Sequence, residues 1–292
     1  MFSAFVAAHL RKSEGVATDP QSKNKARACM SCPICSGRLS ACFKAKVLHK
    51  YEAQFEVCDG CGFLRARDPH WLAEAYAEAI AMADTGLVMR NGLLACKLAG
   101  VLYWVAGERG AGRYLDAAGG YGMLTRLMRD FGFDFYWADK YSSNLMARGY
   151  EYVKDLGQCQ AVTAMEVIEH LTDPAKFVEE TLAAAGSDTL VFSTQLYEGA
   201  VPDPHAWWYY AFATGQHIGF FQRRSLEALG RRLGLGFSSA NGIHILSRKL
   251  VDERILGIVT NRWVCLASPW WTRRKLGSKT MDDQTSMLKA LE

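Results

Sequence analysis

The stretch RYLDAAGGYGMLTRLMRDFGFDFYWAD, Arg113 to Asp139, decides the fold. Tyr114 and Leu115 lead into Asp116, and Gly119, Gly120 and Gly122 then punctuate a turn. Leu124, Leu127, Met128 and Phe131 recur at helical spacing. Phe133, Phe135 and Trp137 alternate as a half-buried strand does, and Asp139 ends it. Strand, glycine turn, amphipathic helix, strand and terminal acid form the first βαβ crossover of a nucleotide-type α/β domain.

Working outward, the domain is expected over 111–248. Its first strands are Arg113–Ala117 and Phe133–Ala138. Ser142 or Ser143 can cap a helix SSNLMARG that Gly149 stops. Ala161–Met165 is a strand, Asp173-Pro174 starts the helix PAKFVEETLAAAG, and Thr189–Ser193 is the next strand. Thr194 to Gln222 is long, aromatic and irregular. Arg224–Leu233 is a helix, and Gly236–Ala240 and Ile243–Leu246 flank an Asn241-Gly242 hairpin turn. This order predicts an α/β fold, a doubly wound sheet with antiparallel last strands.

Upstream, residues 1–28 end in a polar, aperiodic lead-in, expected to be flexible. Residues 29–66 carry Cys32-Pro33-Ile34-Cys35 and, after a 22-residue spacer of hairpin character, Cys58-Asp59-Gly60-Cys61. Two such knuckles bring four thiolates into a tetrahedron, which suits structural zinc in a small ribbon. Cys29 and Cys42 are read as spare thiols. Residues 67–110 form a helical connector, with Leu72, Tyr76 and Ile80 on one face, that could roof the nucleotide site. Residues 249–292 are a basic, aromatic extension with Arg262, Trp263, Trp270, Trp271, Arg273, Arg274 and Lys275. They read either as a packed segment with a solvated basic edge or as a weak peripheral membrane contact.

Half of the 292 residues are hydrophobic and 22% are charged, so a sizeable core is expected and global disorder is not. The net charge of +4 is mild and argues against a nucleic-acid partner. No apolar run reaches a transmembrane length, and the charges of the N-terminus follow its apolar residues, the wrong order for a secretory signal. Nine cysteines, six of them clustered between Cys29 and Cys61, point to metal and a reducing cytoplasm.

A dinucleotide fingerprint fails at Thr125, where a third glycine is required for close helix–strand packing. The turn Asp116-Ala117-Ala118-Gly119-Gly120-Tyr121-Gly122 instead resembles the first motif of class I S-adenosylmethionine-dependent methyltransferases, (E/D)-x-G-x-G-x-G, with Ala118 for the first glycine. The block Ala161 to Pro174, AVTAMEVIEHLTDP, resembles their segment after strand four. Within that superfamily the chain resembles the bacterial branch with an N-terminal four-cysteine zinc-binding domain, which acts on sugars, glycans or natural products. The resemblance implies a Rossmann-like methyltransferase sheet. It implies cofactor contacts from Asp116, Ala118, Gly119, Gly120, Gly122, Asp139, Lys140, Tyr141, Met165 and Glu166. Asp139, about 20 residues past Gly119, sits at the offset of a ribose-binding acid.

Two features are candidates for catalysis. One is the aromatic loop Trp207 to Phe221 with His217, and the other is Glu166-x-x-Glu169-His170. His217 or His170 is the expected proton acceptor, with Glu169 beside them. EVIEH with a later His217-Ile218-Gly219-Phe220 also resembles metal-dependent O-methyltransferases. That likeness implies a second divalent metal, Mg or Mn, on Glu166, Glu169, His170 and His217; a metal-free pocket is the other reading. The expected function is methyl transfer to an oxygen or carbon of a small molecule or glycan, including a lipid-linked sugar. The alternatives are a catalytically inactive zinc-ribbon scaffold, marked by Ala118, and an RNA ribose 2′-O-methyltransferase.

Overall fold

The computed structural model describes residues 31–77 and 84–292. The expected flexible lead-in over 1–28, Cys29 and Ile80 all lie outside the described residues.

A hairpin of β1 (Leu39–Val47) and β2 (Tyr51–Cys58) opens the described chain, with a register shift between Ala41 and Phe43. β3 (Leu64–Ala66) pairs antiparallel with β2. The fourth strand of this sheet, β8 (Gly219–Phe220), comes from the aromatic loop far along the chain: Leu64 pairs with Phe220 and Arg65 with Gly219. The ribbon is therefore woven into the loop that carries His217.

Among its described residues the connector is less helical than its periodicity predicts. α1 covers only Leu72–Ala75, and Tyr76 ends it. The Tyr76 hydroxyl then meets the ring of His170 at 2.8 Å, a tertiary contact that local propensity does not encode. α2 (Leu87–Trp104) buries Leu98, Val101 and Leu102 against the main sheet.

The main sheet has the strand order β5-β4-β6-β7-β10-β9. β4 (Arg113–Ala117), β5 (Asp134–Ala138), β6 (Ala161–Met165) and β7 (Thr189–Ser193) are parallel neighbours. β10 (Ile243–Ser247) is antiparallel to both β7 and β9 (Gly236–Ala240). α3 (Met123–Asp130) and α2 cover one face; α4 (Pro174–Ala185) and α5 (Arg223–Leu233) cover the other. This is a doubly wound, Rossmann-like arrangement with antiparallel last strands. Alternation along β4 divides the core: Tyr114 packs with Phe133 and Phe135, while Leu115 packs with Val162 and Phe192. Each such buried aromatic or aliphatic side chain stabilises the fold by about 1.5–3 kcal/mol.

Local signals fix several helix ends. Asp173 accepts from the Lys176 N–H at 3.1 Å, and Pro174 follows at the first helical position. The Gln222 N–H donates to Ser225 Oγ at 3.1 Å at the start of α5. The helix expected from Ser142 to Gly149 is absent. Asn144 Oδ1 accepts from the Ala147 N–H at 2.9 Å, and Asp139 Oδ1 accepts from the Tyr141 and Ser142 N–H groups. These side-chain acceptors out-compete the helical ladder. Instead, residues around Tyr150 run along the outer edge of β5, where Glu151 bridges Trp137.

The C-terminal extension is helical: α6 (Glu253–Val259), α7 (Arg262–Leu276) and α8 (Thr280–Lys289). α7 packs along α2, and Asp283 of α8 receives the Arg129 guanidinium of α3 through two 2.7 Å hydrogen bonds. Among the described residues no helix is long and apolar enough to cross a membrane.

Candidate active site

A cavity of about 650 Å³ opens at the C-terminal ends of the parallel strands, where open α/β sheets bind ligands. Its floor is the glycine turn. Asp116 is buried at the end of β4; its Oδ1 accepts from Thr163 Oγ1 at 3.0 Å and its Oδ2 from Thr125 Oγ1 at 3.1 Å. Thr125, the position that breaks a dinucleotide fingerprint, thus has a job of its own. Burial pushes the Asp116 carboxyl up to about 7.

The backbone lies tight against this acid. A Cβ on Gly119 would stand 2.8 Å from Asp116 Oδ2 and 2.8 Å from the Trp137 ring. Gly122 has φ +84, and a Cβ there would meet Asn144 Oδ1 at 2.6 Å. Ala118, in the place of a motif glycine, still adopts a left-handed φ of 59. Asp139 Oδ2 accepts from the Gly120 N–H at 2.9 Å, and its Oδ1 accepts from Tyr141 at 2.7 Å and Ser142 at 2.9 Å. One carboxylate therefore clamps the two loops that flank the cavity.

Of the ten residues expected to touch the cofactor, nine line the cavity: Asp116, Ala118, Gly119, Gly120, Asp139, Lys140, Tyr141, Met165 and Glu166. Gly122 stands behind it, at the N-terminus of α3. The roof is α2, through Leu87, Arg90, Asn91 and Leu94. Arg90 is held by Asp84 in a two-bond fork of 3.0 and 2.7 Å. These roof residues were legible only as a helix face, since no motif singles them out.

The far wall joins the two expected catalytic segments. A 3-10 turn, Ile168–His170, follows β6, and the aromatic loop folds over it. Glu169 is completely buried. Its Oε1 accepts from the Tyr209 hydroxyl at 2.7 Å, and its Oε2 has no hydrogen-bond partner. Burial raises the Glu169 carboxyl above the usual range, against the opposing pull of the His217 charge and the Tyr209 bond. The His217 Nδ1–H donates to the Tyr209 carbonyl at 2.7 Å. His170 Nδ1 faces the Gln216 carbonyl at 3.0 Å and the Tyr76 hydroxyl at 2.8 Å. With its proton on Nδ1, the His217 ring keeps an Nε2 lone pair free. Burial, aided by His217, depresses His170 to about 3, so its ring is neutral. The two rings lie 4.8 Å apart edge to face.

One ligand atom each from Glu169, His170 and His217 falls within 4.8 Å of the others. Glu166, the fourth expected ligand, is outside that group; its Oε1 takes a short hydrogen bond from the Ser193 hydroxyl, and its backbone φ is 54. Two imidazoles and one carboxylate, whose Oε2 is buried and unpartnered, form a donor set that fits a divalent cation. Tyr76 and Tyr209, which organise this wall, were expected only as part of the connector face and of the aromatic loop; their bonds to His170 and Glu169 are tertiary contacts with no local pattern.

The four ribbon cysteines also fit a metal. Their sulfurs all lie within 4.8 Å of one another, with Cys32–Cys61 at 3.7 Å and Cys35–Cys58 at 3.4 Å. Zinc–sulfur bonds of about 2.3 Å require sulfur separations of about 3.7 Å. The Ile34 and Gly37 N–H groups each approach a cysteine sulfur at 3.4 Å, and a Cβ on Gly37 would crowd Cys35 and Cys58 at 3.2 Å. Cys42 is exposed and stands apart.

Residues 94–237 match the model of a family described as a methyltransferase domain. The span begins in α2, takes in the glycine turn and both histidines, and ends in β9; this part of the chain is similar to a methyltransferase domain. No curated protein matches the chain. Among solved structures, it is similar to an O-methyltransferase family 2 protein of Planctomyces limnophilus in complex with apigenin. That match has 14% identity over 61% of this chain and 66% of that one, with a TM-score of 0.37. Human N-acetylserotonin methyltransferase in complex with SAM is 12% identical over 62% of this chain and 66% of its own, with a TM-score of 0.41. Magnesium protoporphyrin IX methyltransferase of Synechocystis with bound SAH is 13% identical over 61% and 91%, with a TM-score of 0.38. The chain thus spans just under two thirds of the length of the first two.

Proposed function

We propose that this protein transfers a methyl group from S-adenosylmethionine to a hydroxyl oxygen of a small molecule or glycan. The observation that carries the reading is the meeting, in one cavity, of the Gly119–Asp139 floor with the Glu169–His170–His217 wall. When bound, S-adenosylmethionine supplies an electrophilic methyl on a sulfonium. Asp139 is the group for the ribose hydroxyls, and the close backbone at Gly119 and Gly120 accommodates the amino-acid end. Tyr141, Trp208 and Tyr209 offer aromatic faces toward the methyl and the acceptor.

The wall supports oxygen rather than carbon as the acceptor atom. Glu169, His170 and His217 would hold a divalent metal, Mg or Mn, which when bound lowers the pKa of a coordinated hydroxyl. The orphaned Glu169 Oε2 is the observation favouring that occupant. His217, steered by its Nδ1–H bond to Tyr209, keeps Nε2 available to ligate the metal or to receive the acceptor proton. The chain's other contribution is to hold donor and acceptor in line and away from water. Zinc on Cys32, Cys35, Cys58 and Cys61 is structural in this reading.

Native mass spectrometry with elemental analysis of the purified protein tests it. The expected result is one zinc per chain, a further Mn or Mg after loading, and an adenosyl ligand retained or acquired on incubation. Zinc with no adenosyl ligand under any condition would instead support a scaffold that has lost catalysis.

A further inference from the structure

Helix α7 of the C-terminal extension is inside out for a helix facing water. Its buried side, against α2, holds Cys265, Ser268 and Thr272. Its exposed side holds Trp263, Leu266 and Trp270, with 71%, 54% and 64% of their surfaces open. Small residues at the seam allow the two helices to approach closely: a Cβ on Gly100 would lie 3.0 Å from Ser268 Oγ. Burial therefore does not explain the tryptophans, and leaving large apolar side chains in water is a cost without a local return.

The charge on this segment is one-sided. From Arg254 to Thr280 the sequence contains Arg254, Arg262, Arg273, Arg274, Lys275 and Lys279 and no carboxylate. Three of these cations lie over ring faces: Arg262 over Trp263 at 4.9 Å, Arg274 over Trp270 at 5.9 Å and Lys275 over Trp271 at 5.2 Å. Tryptophan with adjacent arginine and lysine suits the headgroup level of a bilayer, where the ring is half immersed and the cation meets phosphate. The neighbouring helix α6 adds Ile255 and Ile258, both exposed. A second copy of the chain is a poor occupant, because a two-fold contact through this patch would set its cations against each other.

We propose that the exposed face of α7, extended by α6, docks on the surface of an anionic phospholipid bilayer. The docked helix runs parallel to the roof helix: Gly100 meets Ser268 and Trp104 stacks on Trp271. Both N-termini therefore point the same way, and the N-terminal half of α2 lines the cavity. A bilayer held by α7 lies alongside the roof of the site.

The experiment is vesicle flotation of the full chain. Vesicles of phosphatidylcholine are compared with vesicles containing about one third phosphatidylglycerol, at low and high salt. The proposal expects binding to the anionic vesicles only, weakened by salt. With about 1 kcal/mol per basic residue, the triple variant Arg262→Gln, Arg273→Gln, Arg274→Gln should bind about 100-fold more weakly. Trp263→Ser with Trp270→Ser should also lose binding, while circular dichroism and the thermal midpoint stay near wild type. Equal binding to both vesicle types, no binding to either, or variants that bind as wild type would overturn the proposal. So would a concentration-dependent dimer that the tryptophan variant abolishes without any change in lipid binding.

Discussion

The Ile218 backbone N–H donates to the Glu169 carbonyl at 2.9 Å. The same residue's carbonyl accepts from the Ala66 N–H of the ribbon at 2.8 Å. Ile218 therefore links the turn after β6 to the edge of the four-cysteine ribbon, with His217 as its neighbour. The ribbon is a strut under the acceptor wall rather than an appendage.

Metal removal should therefore be felt locally. Stripping zinc with a chelator, or replacing Cys58 by Ser, is expected to speed amide exchange over residues 217–221 by about tenfold or more. The Gly119–Asp139 floor stands on β4 and β5, so affinity for S-adenosylhomocysteine should hold within about threefold. Unchanged exchange at 217–221 in zinc-free protein would show that the strut is not needed.

The Tyr209 hydroxyl is the group that donates to the buried Glu169 carboxylate. Tyr209→Phe should lower stability by about 1–3 kcal/mol, because the carboxylate loses its donor without regaining water. Support around a ligating group tunes its metal, so Mn affinity should fall about 10-fold or more. Titration of Mn followed by electron paramagnetic resonance reads this; wild-type affinity in the variant would remove Tyr209 from the wall.

Asp116 gives a pH signature. Its folded-state carboxyl is raised by burial to about 7, above the ordinary value near 3.9. The native state therefore holds the proton that the unfolded chain releases. The resulting stability is fully present below about pH 4 and is lost as pH rises through about 7. Asp116→Asn removes this dependence. Urea denaturation of the ligand-free protein should show the variant gaining on wild type, by on the order of a few kcal/mol, between pH 5 and pH 8. A variant–wild-type difference that does not change with pH would contradict the assignment.

Much of this was readable in the sequence, for identifiable reasons. The Asp173-Pro174 cap, the Asn241-Gly242 turn and the period-two strands are local signals, and the structure follows them. One failure is local: Asp139 and Asn144 claim backbone N–H groups of SSNLMARG through bonds spanning three residues, which compete with the helix. The others are tertiary, and no local pattern carries them. Nor does Gly219-Phe220 announce that it will close the ribbon sheet. Glu169 and His217 were visible as residues, but their meeting depends on the Ile218 and Tyr209 bonds. The roof residue Arg90 carried no signal, because its role comes from where α2 lands.

The last helix is anchored by charge. Arg129 is buried, and Asp283 of α8 receives its Nε and Nη2 at 2.7 Å each. Burial and the arginines act on Asp283 in opposite directions, and its carboxyl ends below the usual range. Asp283→Ala leaves a buried guanidinium short of its partner and should cost on the order of 3 kcal/mol in chemical denaturation. A loss below about 1 kcal/mol would mean that Asp134 and the Tyr150 ring suffice to hold Arg129.

The central claim is that the cavity over the glycine turn holds an S-adenosyl donor through Asp139. Isothermal titration of S-adenosylhomocysteine into the wild-type protein and Asp139→Ala tests it directly. The expected result is one site per chain in the wild type and an affinity lower by about 100-fold in the variant, since Asp139 clamps the flanking loops and is the proposed partner of the ribose hydroxyls. No heat of binding in the folded wild type, or equal affinity in the two proteins, would contradict it.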